Sequence, residues 1–106
     1  MAFTQRAART LARLEADIEA AADAAGVDLE IARTDNVIEI EFDDASKIVI
    51  NSHEAAGEIW VAARAGGFHF RPGEDDDWVD SRSGNTLRAA LERLLSEHAG
   101  RPLTLP

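Results

Sequence analysis

Residues 27–51, VDLEIARTDNVIEIEFDDASKIVIN, decide the fold of this 106-residue chain. Apolar and polar residues alternate there in three short runs, which is typical of strands with one buried face. The apolar positions are Val27, Leu29 and Ile31, then Ile38, Ile40 and Phe42, then Ile48 and Ile50. Asp35-Asn36 and residues 43–46 supply turns, because short polar side chains bond their own backbone. These connections are too short for helical crossovers, so the sequence predicts an antiparallel sheet.

Residues 57–70, GEIWVAARAGGFHF, predict two further strands, with Gly66-Gly67 as the hairpin turn between them. Residues 78–80 are a candidate sixth strand. The alternation assigns Trp60 to the polar side of its strand. Asn51, Trp60, Arg64 and His69 are therefore expected together on an open sheet face. Such a Trp indicates either a protein contact or a ring that shields the sheet and stacks on Arg64.

A helix is predicted at each end of the sheet. Residues 3–25 carry one apolar stripe that ends at Gly26. A second helix follows Ser83 or Asn85 as the N-cap and ends at Gly100. The tail at 101–106 has alternating leucines and is expected to lie in a groove. The expected fold is α+β: a single domain, residues 1–106, that forms a two-layer sandwich of two terminal helices on one face of a five- to six-stranded antiparallel sheet.

Composition excludes several classes of protein. The chain has no cysteine, so disulfides and thiolate chemistry are absent, which fits a cytoplasmic location. A net charge of −9 makes nucleic acid and anionic membranes poor partners. No apolar run reaches the ~18 residues of a membrane span. No motif of a nucleotide site or hydrolase is present, and the chain is not expected to be an enzyme.

The negative charge is concentrated in residues 15–44, which hold eleven acids and one base, Arg33. Glu15, Glu19 and Asp23 form a helical stripe of like charges at i,i+4 spacing, which destabilises an isolated helix. Carboxylate oxygens suit iron and also calcium, magnesium and manganese. The stripe indicates an open, hydrated cation site. The alternative is an acidic surface that only contacts water and a basic partner.

Three blocks of the sequence resemble the frataxin family, and its bacterial branch in particular. They are DASKIVIN at 44–51, EIWVAARAGGFHF at 58–70, and the W-x-D-x-RSG-x-T-L pattern at 78–87. The resemblance covers nearly the whole chain. It implies the same α-β-α sandwich and a role in iron handling and iron–sulfur cluster assembly.

The resemblance also implies where ligands and partners bind. Iron would be held weakly on an acidic ridge that comprises Glu15, Glu19, Asp23, Asp28 and Glu30. A cysteine desulfurase and the iron–sulfur scaffold protein would be partners, with Asn51, Trp60 and Arg64 as contacts on the sheet. The protein would be an iron donor or an iron-dependent regulator of cluster assembly, and a monomer that iron can assemble into oligomers. Alternatives are an acidic module that binds the desulfurase without a metal role, and a ferroxidase, which the open ridge does not favour.

Overall fold

A computed structural model describes residues 2–106 and has the predicted architecture. Two helices pack on one face of a six-stranded antiparallel sheet, whose strands follow the order of the chain from β1 to β6. The predicted fold is therefore confirmed. The elements are α1 (Phe3–Ala25), β1 (Leu29–Thr34), β2 (Val37–Phe42), β3 (Lys47–His53), β4 (Glu58–Ala63), β5 (Gly66–Pro72), β6 (Trp78–Asp80) and α2 (Leu87–Ala99).

The core lies between the helices and one face of the sheet. Every second residue of the central strands is buried there, at 2% exposure or less: Ile38, Ile40, Ile48, Ile50, Ile59, Val61 and Phe70. The apolar stripes of the helices complete the layer with Leu11, Leu14, Ile18, Leu91, Leu94 and Leu95. Each such side chain contributes about 1.5–3 kcal/mol when it leaves water. The residues that alternate with these buried ones point to the other face of the sheet, which no helix covers.

The N-cap of α2 is Thr86, so the prediction of Ser83 or Asn85 is wrong. The Thr86 side chain accepts a hydrogen bond from the Ala89 N–H at 3.2 Å. Ser83 instead accepts from the Asn85 N–H within the preceding loop. A β-bridge between Val79 and Thr86 keeps the chain extended up to the cap, and the helix starts only after it.

The β4–β5 hairpin turns two residues earlier than predicted. Ala63 pairs with Gly66, so Arg64 and Ala65 form the two-residue loop. Gly66 has a φ of 138°, which an L-residue rarely adopts, and is the first residue of β5. The prediction of Gly66-Gly67 as the turn is wrong, and Arg64 lies beyond the end of β4.

The C-terminal tail packs on α2, as its alternating leucines predict. Leu103 and Leu105 are buried at 4% and 7% exposure. The Leu103 N–H donates to Ser96 Oγ at 2.9 Å, and the Leu105 N–H donates to Glu92 Oε2 at 2.8 Å. These bonds satisfy the tail backbone while its leucines extend the core.

His98 closes the core at the C-terminal end of α2 and is 7% exposed. The Arg64 N–H donates to His98 Nε2 at 3.2 Å, so that nitrogen carries no proton. Nδ1 therefore holds the proton and donates to Ser46 Oγ at 2.9 Å. Burial, together with the Arg64 charge, lowers the pKa of His98 from its ordinary value of 6.5.

We expect this imidazole to make folding stability depend on pH. Because the pKa is lower in the folded state, the unfolded chain binds the proton more readily, and stability falls as pH drops below about 6.5. Urea unfolding midpoints at pH 7 and pH 5 should show a smaller loss in His98→Gln than in the native protein. His53→Gln, which removes a histidine from the other sheet face, is the control and should retain the native loss. An identical loss in the native protein and His98→Gln would contradict this prediction.

Candidate functional site

Three of the predicted acids surround one depression, the acidic cavity, where α1 passes into β1. Glu19, Asp23 and Asp28 line this cavity of about 230 Å³, together with apolar side chains that include Val27 and Leu29. The three carboxylates are exposed, whereas Val27 and Leu29 are half-buried. These three carboxylates are the side-chain oxygen ligands that the lining of the cavity offers to a cation.

The turn after α1 brings Asp28 to the two helical acids. Gly26 adopts the left-handed conformation at φ 67°. The Gly26 N–H donates to the Asp23 carbonyl at 3.2 Å, and the Val27 N–H donates to the Ala22 carbonyl at 2.9 Å. These bonds reverse the chain at the helix end. The negative end of the α1 dipole lies here as well and adds to the potential of the carboxylates.

Glu15 and Glu30 lie apart from the acidic cavity. Arg33 Nη1 lies 3.4 Å from Glu15 Oε1, so that helical acid has a counter-charge within the chain. Glu30 alternates with Leu29 and Ile31, which pack against the core, and it therefore points to the face away from the helices. Its neighbour across the sheet there is Glu41. The structure thus brings together three of the five predicted ridge residues.

The acidic cavity fits a loosely held cation better than a fixed metal centre. Within residues 2–106, no group of three His, Cys, Asp or Glu side chains is arranged to hold a metal ion. A hard cation such as Fe2+ or Mg2+ could take one or two carboxylate oxygens there and keep water in its other positions.

Trp60 lies on the open sheet face in a stack of three rings. In the register of the sheet Trp60 pairs with Asn51 on one side and His69 on the other. The indole is nearly parallel to His53, with centroids 4.1 Å apart, and to His69, at 4.4 Å. These histidines approach from the strands on either side, so the indole stands between them with its edge toward water.

The polar end of the Trp60 ring is also held. Trp60 Nε1 donates to Glu58 Oε1 at 2.8 Å, and this bond lowers the pKa of Glu58, with a smaller contribution from Arg71 at 3.4 Å. His69 Nδ1 lies 3.7 Å from the same carboxylate. A large ring can thus lie among charged residues, because the two histidines cover its faces and Glu58 accepts its N–H. Arg71 in turn balances the charge of Glu58. These contacts hold the indole in a fixed position on the open sheet face.

Arg64 does not join the Trp60 stack. It lies four residues along the chain, which corresponds to about 13 Å of strand. Its Nη2 donates to Asp44 Oδ2 at 2.9 Å, in the turn between β2 and β3. The expectation that Trp60 stacks on Arg64 is wrong, since His53 and His69 cover the ring. His53 was not among the residues predicted for this face, although its place two residues after Asn51 on the adjacent strand could have indicated it.

Comparison with known proteins identifies the family. A family model described as a frataxin-like domain matches residues 1–101. The chain is 54% identical over 103 residues to the iron-sulfur cluster assembly protein CyaY of Cupriavidus necator, a match that covers 97% of this chain and 92% of the relative. It is 55% identical over 102 residues to the protein of the same name from Cupriavidus taiwanensis, with 96% and 91% covered. The chain therefore belongs to the frataxin-like family, as the resemblance predicted.

Solved structures show the same fold. Frataxin from Psychromonas ingrahamii superposes with a TM-score of 0.83 at 22% identity, over 96% of this chain and 92% of that one. Trimeric frataxin from the yeast Saccharomyces cerevisiae, complexed with ferrous iron, has a TM-score of 0.76 at 21% identity, over 91% and 87%. In residues 2–106, neither helix is long and apolar enough to cross a membrane.

The crowding of charge at the acidic cavity should cost stability. Asp23→Asn removes a like-charge neighbour of Glu19 and an anion near the C-terminus of α1, so it should raise the free energy of unfolding by about 0.5 kcal/mol. The control is Glu15→Gln, which removes the same charge but also its ion pair with Arg33. Urea unfolding at low salt measures both. A gain in Glu15→Gln as large as that in Asp23→Asn would show that general charge reduction, rather than the cavity, is responsible.

Proposed function

We propose that this protein is an iron-binding modulator of iron–sulfur cluster assembly that acts in the bacterial cytoplasm. It takes Fe2+ or Fe3+ weakly and reversibly, and other divalent cations can substitute. It acts as an iron-dependent regulator of, or an iron donor to, the complex of the cysteine desulfurase and the scaffold protein. The role is one of binding, with no catalytic turnover, and the iron-free protein is a monomer that iron can assemble further.

The observation that carries this proposal is the grouping of Glu19, Asp23 and Asp28 around one cavity at the α1–β1 edge. The relatives that share about half of its residues are named iron-sulfur cluster assembly proteins. A structural neighbour of the same fold was solved with ferrous iron. Three exposed carboxylates around one cavity suit a hydrated iron ion that is passed on, since few ligands hold it.

Two surfaces of the molecule are suited to partner contact. The acidic cavity presents negative charge that complements a basic protein surface, which speeds association and makes it salt-dependent. The Trp60 stack presents a fixed aromatic edge near Asn51, and aromatic residues of this kind dominate binding energy at interfaces. We assign the first surface to the desulfurase and the second to the scaffold protein.

Iron titration tests the metal site directly. Anaerobic Fe2+ should broaden the amide NMR signals of residues 19–28 first, because a paramagnetic ion relaxes nearby nuclei. The double variant Glu19→Gln with Asp23→Asn should weaken this binding about tenfold or more, since charged ligands dominate a hydrated site. Asp75→Asn is the control: it removes one acid from an exposed loop at φ 57°, a conformation that Asn tolerates. First broadening at residues 75–77 would refute the site.

The interface role of Trp60 has its own test. Trp60→Ala should weaken binding to the scaffold protein by about tenfold or more, the usual cost of truncating a central aromatic contact. Trp60→Phe keeps an apolar ring between His53 and His69 and should lose less. Affinity measured by calorimetry, with unfolding midpoints to confirm that both variants fold, gives the comparison. Unchanged affinity in Trp60→Ala would remove the stack from the interface.

A second candidate function is an acidic module that binds the desulfurase with no metal role. It is favoured by the pairing of Glu15 with Arg33 and by the lack of any three-ligand group within the described residues 2–106. A desulfurase pull-down separates the two. The metal-free module would bind equally with iron or with a chelator and weaken as salt rises. The iron-dependent modulator would change its binding when iron is added.

A further inference from the structure

A second cavity, the arginine pocket, lies between the first half of α1, the loop from β5 to β6 and the start of α2. It has a volume of about 220 Å³, and the side chains of Arg6, Arg9, Arg13 and Arg88 line it. These are four of the ten arginines in a chain whose net charge is −9. Positive charge is therefore concentrated on one flank of α1, away from the acidic cavity.

Three of the four arginines that line the pocket contact carboxylates of the chain. Arg9 and Asp76 approach to only 3.8 Å, Arg13 and Asp17 to 3.7 Å, and Arg88 shares the same Asp17 at 3.0 Å. With Asp77 also in the lining, four guanidinium groups face three carboxylates. Arg88 Nη2 also donates to the backbone oxygen of Pro106. The ion pair of Arg13 is long, so this side chain is the more readily redirected toward a ligand.

Arg6 is the member of the cluster without a carboxylate partner among residues 2–106. Its Nη2 donates to the carbonyl oxygens of Gly73 at 3.0 Å and Asp77 at 2.6 Å. Its Nε is buried and has no hydrogen-bond partner in the described part of the chain. The guanidinium lies over the Trp78 ring at 5.2 Å, which fixes it in the wall of the pocket.

The start of α2 adds to the positive potential. Thr86, Leu87 and Arg88 all line the pocket, and the first turn of the helix contains no acidic residue. The first backbone N–H groups of a helix lack partners within the helix and attract anions. Thr10 Oγ1 accepts from Trp78 Nε1 at 2.8 Å, which ties the indole in the pocket wall to α1. The pocket thus combines guanidinium groups with the positive end of a helix dipole.

We propose that the arginine pocket binds a small oxyanion, the phosphate or carboxylate group of a metabolite. Its volume equals that of about seven water molecules, which accommodates inorganic phosphate or a small polycarboxylate. Guanidinium groups are the preferred donors for both groups because their planar fork can bond two oxygens at once. The Arg13 side chain is 74% exposed and can turn from its long ion pair with Asp17 toward the ligand.

Calorimetric titration of the full native chain tests this site, with inorganic phosphate and citrate as separate probes. Ionic strength is held constant with sodium chloride, because screening alone alters weak charge interactions. Saturable binding of phosphate, citrate or both is expected. Binding of phosphate but not citrate would identify the ligand group as a phosphate. Binding of citrate but not phosphate would identify it as a carboxylate. A second readout is the fluorescence of Trp78 in Trp60→Phe, where it is the one remaining tryptophan.

Matched arginine variants locate the binding. Arg13→Gln should raise the dissociation constant about three- to tenfold, the loss expected for one charge-assisted contact in a partly exposed site. Arg71→Gln removes an equally charged residue of 67% exposure from the opposite sheet face and should change it less than twofold. Unfolding midpoints confirm that both variants fold. Absence of saturable binding to the native protein, or equal weakening by the two substitutions, would overturn the proposal.

Discussion

The burial of one sheet face against two helices is the constraint on which the rest of the structure depends. Because side chains alternate along a strand, each buried isoleucine fixes its neighbours on the outer face. Trp60, between Ile59 and Val61, must face outward, and Glu39 and Glu41 must do so around Ile40. A slip of one residue would place these acids in the core. The apolar contact with the helices therefore also determines which side chains lie on the outer sheet face.

The order and type of every element could be predicted from the sequence, since period-two and period-3.6 patterns report burial directly. The ends of elements could not. Ser83, Asn85 and Thr86 are all good N-cap residues, and the choice among them depends on the bridge from Thr86 to Val79 in β6. Likewise, either Arg64-Ala65 or Gly66-Gly67 could turn the β4–β5 hairpin, and the pairing of Ala63 with Gly66 decides it. Such choices depend on contacts that a local pattern does not contain.

The candidate site was predictable to the extent that it is local. The proximity of Glu19 and Asp23 follows from their i,i+4 spacing, whereas the approach of Asp28 depends on the turn at Gly26. The pairing of Glu15 with Arg33 joins residues 18 positions apart, which no local pattern indicates. The alternation of Glu30 with Leu29 and Ile31 does predict that Glu30 points away from the helices. The family resemblance grouped it with the helical acids, yet a strand acid on the outer face lies on the other side of the sheet from α1.

The charges of α1 run against its dipole, and this arrangement connects the two cavities. Arginines occupy its first half and acids its second, while no acid lies in the first turn and no base in the last. Reversing the order would stabilise the helix, because anions are favoured near the N-terminus and cations near the C-terminus. As it stands, the positive helix end reinforces Arg6 and the negative end reinforces Asp23. The packing of Leu11, Leu14 and Ile18 offsets the cost, so one helix can carry arginines at its first end and carboxylates at its second.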